Sequence, residues 1–121
     1  MLPAAHRLTR GADLRRVARS GRRSGQRTLV VHLLIDDHPG PALVGFVVGR
    51  VVGNAVVRHR VQRRLRHLCR DRLDRLPPGS SLVVRALAPA AGATSAELAL
   101  DLDRCLERSL ARRAEGAVSR A

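Results

Sequence analysis

Lysine is absent from this chain of 121 residues, as are tryptophan and tyrosine, and Phe46 is its one aromatic side chain. Each absence excludes something. A core without aromatics must be built from Leu, Val, Ile and Ala. Binding of single strands on a platform of stacked aromatic rings is likewise excluded. Two cysteines, Cys69 and Cys105, lie far apart in helical contexts. They form no disulfide framework, and a reducing cytoplasm is the expected home. No apolar run approaches the roughly 20 residues of a membrane helix, so no membrane partner is expected. The N-terminus has Arg7 and Arg10 but no apolar segment after them, unlike a secretory signal.

Acids are scarce in one part of the chain. Residues 1–70 hold 15 arginines and 3 acids, a balance of +12, whereas residues 71–121 hold 8 and 7, a balance of +1. Net charge is +13, carried wholly by arginine. A solvated surface needs only about 2–8 charges for solubility. So one-sided an excess reads as the footprint of a polyanion.

Catalytic constellations are missing too. His59, His67 and Cys69 lack the i, i+3 or i, i+4 spacing that brings helical ligands together as one set. Cys69 reads as a small core residue, His32 as a half-buried or groove-facing polar group, and Asp36 and Asp37 as turn formers. No phosphate-binding glycine loop follows a strand, and no small-molecule substrate is expected. These residues describe a binder.

What is present centres on GNAVVRHRVQRRLRHLCR, Gly53 to Arg70. Asn54 is a good helix N-cap after a permissive glycine. Wound as a helix, Val57, Val61, Leu65, Leu68, Cys69 and the more distant Leu76 gather on one side. His59, Arg60, Arg63, His67 and Arg70 gather on the other, with Arg64 and Arg66 on the flanks. The helix is expected to run until Pro77-Pro78-Gly79 stops it.

The rest of the chain falls around this helix. Thr9 is expected to cap a first helix that bears Leu14, Val17 and Ala18 and ends at Gly21. Residues 22–26 suggest a short edge strand. Strands are expected at 28–36, 43–48 and 81–88, with residues 37–41 as a hairpin connection. The continuous apolar run of 43–48 suggests a strand buried on both faces. Strand, basic helix and strand make a βαβ unit with parallel neighbours. Thr94 and Glu97 form a capping box for a last helix bearing Leu98, Leu102, Cys105, Leu106 and Leu110, with fraying from Gly116. The fold class is α+β, one domain over 1–121 with its ordered core at about 7–114.

The arginine-rich face could enter a DNA groove, but no helix-turn-helix pair accompanies it. Arginine forks bind phosphates and stack on bases, which suits folded RNA recognised by backbone and shape.

At this point VGFVVGRVVGNAVVRHRVQRRLR, residues 44–66, resembles a known family, the protein subunit of bacterial ribonuclease P. RLTRGADLRRVARSG, residues 7–21, is similar to that family's first helix, and the order of elements agrees over about 110 residues. The resemblance implies a two-layer αβββαβα domain with a four-stranded mixed sheet and a left-handed βαβ crossover. General rules of connection would favour the right-handed form. It implies a subunit of an endoribonuclease that removes the 5′ leader from precursor tRNA. The RNA subunit, ribonuclease P RNA, would carry the chemistry with bound Mg²⁺, and no protein residue would be catalytic. Arg50, Gly53, Asn54, Arg58, His59, Arg60, Arg63, Arg64 and Arg66 would contact that catalytic RNA. Leu14, Ala18, Arg27, Val31 and His32 would line the leader groove. His59 stands where the family has asparagine, Val51 and Gln62 replace usually basic residues, and the groove lacks the family's aromatics. Two other readings remain open: a non-catalytic RNA-binding protein of another, ribosomal-type assembly, and a stand-alone nuclease.

Overall fold

The computed structural model describes residues 4–35 and 38–119. Its elements run α1 (Gly11–Ser20), β1 (Arg22–Gly25), β2 (Leu29–Ile35), β3 (Leu43–Val47), α2 (Ala55–Arg70), β4 (Ser80–Ala86) and α3 (Ser95–Ser119). The four strands form one mixed sheet in the order β1-β2-β4-β3. β1 and β2 are antiparallel, β2 and β4 antiparallel, and β3 and β4 parallel. The expected α+β class, element order and βαβ pairing are all present.

Two expectations about the sheet are corrected by β4. Residues 37–41 were read as a hairpin connection, but β4 inserts between β2 and β3, so those two strands do not pair. The strand expected to be buried on both faces, β3, is an edge strand and only partly covered. The strand covered on both faces is instead β4, one of the two central strands, buried except at Arg85. The free edge of β3 is covered locally by the N-terminal segment, where the Leu8 amide donates to the Val44 carbonyl at 2.8 Å. Asp36 and Asp37, read as turn formers, lie outside the described residues.

Period-two alternation sorts the sheet into two faces. Leu29, Val31, Leu33, Leu82 and Val84 meet Val61, Leu65 and Cys69 of α2 and Leu98, Leu102, Cys105 and Leu106 of α3 in the main core. Each fully buried Leu or Val there stabilises the fold by about 1.5–3 kcal/mol relative to exposure. Val83, Leu34, Leu43 and Val47 face the other way and meet Val17 and Leu14 of α1 and Leu8 in a smaller cluster. α1 lies close to the sheet because residue 45 is glycine. A Cβ there would come 2.3 Å from Leu14 Cδ2 and 2.6 Å from the Leu8 carbonyl oxygen.

Helix ends follow local chemistry, with three departures from expectation. α1 starts at Gly11 with Arg10 in the cap position and no side-chain cap, so Thr9 does not cap it. α2 stops at Arg70 rather than reaching Leu76. A 3-10 turn (Leu73–Arg75) follows, and it still delivers Leu76 to the core. α3 remains helical past Gly116 to Ser119, and residues 120 and 121 lie outside the described residues. The capping box is formed as expected, with the Thr94 amide donating to Glu97 Oε1 at 3.0 Å and the Glu97 amide to Thr94 Oγ1 at 3.1 Å.

Candidate nucleic-acid interface

The basic helix is built by its first two residues. Gly53 has φ +151°, a conformation that favours glycine, and it turns the chain out of the four-residue corner that begins at Arg50.

 The Gly53 amide donates back to the Arg50 carbonyl at 3.2 Å, which closes that corner. Asn54 Oδ1 then accepts the Val57 amide at 3.0 Å and caps the helix, leaving its positive end toward solvent. α2 carries no acid along its length.

The arginines of α2 divide into three groups. Arg63, Arg66 and Arg70 are exposed, with His59 and His67 among them and Arg50 at the preceding corner. Arg60 and Arg64 reach sideways to the 3-10 turn before α3, where Arg60 Nη2 donates to the Ala91 carbonyl at 3.1 Å and Arg64 Nη1 to the Ala93 carbonyl at 2.9 Å. These two also hold the fold together. Arg58 sits on the packed side of the helix, half-buried, with its Nε enclosed and without a partner among the described residues. Arg58, which the resemblance counts among the RNA contacts, thus has its Nε turned away from the open basic face of α2.

The second surface lies across the sheet. A groove between α1 and the sheet is lined by Gly11, Leu14, Arg15, Ala18, Arg19, Val47 and Arg85, with a volume of about 480 Å³. It adjoins a depression of about 350 Å³ lined by Ala18, Arg23, Val30, His32, Arg85 and Leu87. Of the groove residues expected from the sequence, Leu14, Ala18 and His32 are brought together here. Val31 is not: it points to the opposite face and is fully buried in the main core. Arg27 is not either, since its guanidinium pairs with Glu97 of α3 at 3.1 Å. The sequence reading missed Arg15, Arg19, Arg23, Val47 and Arg85. A signal existed for Arg85, the one charged residue of β4, but its partners across the sheet follow only from the register.

The two surfaces are joined around the β3 edge. Leu14 is shared with a small cavity that also touches Phe46, Gln62 and Arg66. Gln62 and Arg66 are shared in turn with a shallow depression on α2 lined by His59, Arg63 and His67. Among the described residues no carboxylate lines any of these four hollows. Two acids of α3 are engaged elsewhere. Asp101 accepts from the Thr28 amide at 3.1 Å and from its hydroxyl at 2.5 Å. Asp103 accepts from Arg72 Nε and from Arg75 Nη1, each at 2.7 Å.

Electrostatics agree with this separation. Burial, then the nearby charges of Arg85 and Arg23, hold the His32 imidazole below its ordinary range. Hydrogen bonding from Arg72, with help from Arg75, holds the Asp103 carboxyl below its own. Burial pushes the Cys69 thiol up to about 12, which makes it a core group and not a nucleophile. Among the described residues no three His, Cys, Asp or Glu side chains converge as metal ligands. With Asp101, Asp103 and Glu97 engaged as above, the described side chains do not fit a Mg²⁺ seat.

A family model described as Ribonuclease P matches residues 2–110. A relative from a Nocardioides species, named ribonuclease P protein component, is 60% identical over 110 residues, covering 89% of this chain and 94% of that one. One from Streptomyces avermitilis with the same name is 53% identical over 118 residues, covering 91% and 96%. The solved structure of the Staphylococcus aureus RNase P protein superposes with a TM-score of 0.76 at 24% identity, covering 85% of this chain and 94% of that one. That of Thermotoga maritima gives 0.73 at 22%, covering 84% and 96%. The two structures share the fold described above.

Proposed function

Since the chain belongs to the ribonuclease P protein family, we propose that it is the RNA-binding subunit of a ribonucleoprotein endoribonuclease that removes the 5′ leader from precursor tRNA. The observation that carries this reading is the track of arginines, with no carboxylate among its described lining residues, that runs from the α1 groove around the β3 edge onto α2. Such a track can hold two pieces of RNA at once. The open face of α2 suits a folded RNA met through its phosphates, and the groove suits an extended strand. The names of the relatives do not favour the ribosomal-type alternative.

In this reading the catalytic RNA supplies the chemistry and holds the Mg²⁺. The protein's work is positioning. His59, Arg63 and Arg66 meet the RNA subunit, with Arg50 and the capped end of α2 beside them. Arg60 and Arg64 keep that helix in register with the turn before α3. Leu14, Ala18 and Val47 give the groove an apolar floor, and Arg15, Arg19 and Arg85 supply its cationic rim. Aromatic stacking, worth about 1–3 kcal/mol per base elsewhere, is absent from this groove, so the leader is held by arginine. The expected place of work is the cytoplasm.

Reconstitution with the RNA subunit from the same genome tests the proposal. The protein should restore leader removal at Mg²⁺ concentrations where that RNA alone is slow. An assembled complex with no gain in cleavage would reject it.

A further inference from the structure

The one aromatic ring of the chain is not enclosed in the core. Phe46 lies on the edge strand β3, partly buried against the rim of the main cluster. It also lines the small cavity at the β3 edge, whose volume is about 150 Å³. Leu8, Leu14 and Val44 complete the apolar walls. Those walls are fixed by backbone, since the Leu8 amide donates to the Val44 carbonyl at 2.8 Å. Thr9 and Arg66 are exposed and stand at the mouth. Gln62 of α2 is half-buried and supplies a primary amide to the same cavity. Arg60 and Arg64 bond across to the turn before α3, but among the described residues neither Gln62 nor Arg66 is bonded to a protein group through its side chain. A cavity of about this volume takes up benzene in another protein. A pyrimidine is a six-membered ring of similar size, whereas a purine has two fused rings. The amide of Gln62 offers an acceptor beside its donors, and the pairing edges of uracil and cytosine each set a donor beside an acceptor.

We propose that this cavity takes in one unpaired pyrimidine of the RNA subunit, with Phe46 against the ring, the Gln62 amide on its pairing edge and Arg66 on the adjoining phosphate. The inference rests on the family reading above and adds to it a base-reading contact. The RNA subunit is the source because Gln62 and Arg66 also line the depression on α2, whereas the α1 groove shares only Leu14 with the cavity. The contact does what the arginines cannot. A row of guanidiniums meets any phosphate backbone, and neighbouring registers along the strand are nearly equivalent to it. A base drawn out of its stack and held in a closed hollow selects one nucleotide, and so fixes where α2 sits on the RNA.

The test uses the full chain assembled with the RNA subunit from the same genome and precursor tRNA. Pyrimidine pairing edges are probed with a carbodiimide at uracil N3 and dimethyl sulfate at cytosine N3. One unpaired pyrimidine of the RNA subunit should be shielded by wild-type protein and should react again in a complex saturated with Gln62→Ala. Phe46→Leu should expose the same nucleotide, with its melting temperature measured alongside, and Gln62→Ala decides the matter if Phe46→Leu does not fold. Gln62→Ala should bind the RNA subunit about tenfold more weakly. A purine placed at the shielded nucleotide should cost wild-type protein a similar factor and cost Gln62→Ala little, because the contact is already gone. Additive losses, or the absence of any pyrimidine whose shielding depends on Gln62, overturn the seat. A Gln62-dependent shield on the leader of the precursor tRNA instead overturns the assignment to the RNA subunit. Wild-type protein that fails to assemble sinks the family reading itself, whereas assembly without Gln62-dependent shielding sinks only this inference.

Discussion

Replacing Gly45 with alanine probes how closely α1 and the N-terminal segment press on the sheet. The added Cβ would lie 2.3 Å from Leu14 Cδ2 and 2.6 Å from the Leu8 carbonyl oxygen, so both must move. Leu14 can leave its preferred rotamer at about 0.5–1.5 kcal/mol. Leu8 is backbone, tied to β3 through its amide and the Val44 carbonyl at 2.8 Å. Loosening that bond costs about 0.5–1.5 kcal/mol more. Alanine also stiffens the unfolded chain, which returns about 0.4–1 kcal/mol. The net expectation is a loss of about 1.5 kcal/mol. Gly49→Ala is the control, since a Cβ there meets nothing within 4 Å and only the entropic gain remains. The two variants should differ by about 2 kcal/mol, or roughly 8 °C in melting temperature for a chain of this size, read by circular dichroism. Melting temperatures that agree within about 2 °C would refute the close-approach argument. In the assembled complex, Gly45→Ala should also weaken leader binding more than binding to the RNA subunit, because the strain falls beside the groove and not on α2.

Arg63→Ala with Arg66→Ala should leave the circular dichroism spectrum unchanged, since both side chains are exposed. The pair should flatten the log–log salt dependence of binding to the RNA subunit by about 1.4–1.8, at roughly 0.7–0.9 per lost phosphate contact. Asn54→Ala removes the cap on the Val57 amide and should lower stability by about 1 kcal/mol, measured by urea unfolding. The Asp103 carboxyl titrates below its unfolded value of 3.8, so its contribution is present above that pH and is lost as pH falls through the folded value. Asp103→Asn should therefore remove part of the acid-side fall in melting temperature while lowering stability at neutral pH.

Much of the fold was legible because it rests on local rules. Asn54 as a cap, the Thr94–Glu97 box and the apolar stripes of α2 and α3 depend on neighbours within a turn or two. The site was legible in part. The exposed side of α2 follows from helical periodicity, yet Arg58, counted by the resemblance among the RNA contacts, falls on the packed side. Leu14, Ala18 and His32 line the groove and its adjoining depression, whereas Val31 lies in the main core and Arg27 pairs with Glu97. Val31 immediately precedes His32 and by alternation lies on the other face, and choosing between the faces needs to know which one α1 covers.

The sequence by itself determined the element types, the one-sided charge and the separation of acids from the basic face. These are set by composition, side-chain period and capping chemistry, all readable within short windows of chain. The tertiary structure alone decided that β4 lies between β2 and β3, that Arg23 and Arg85 flank His32, and that groove and helix join around the β3 edge. Strand order depends on which distant apolar surfaces bury each other best. That is a competition among pairings across the whole chain, and no local pattern records its outcome.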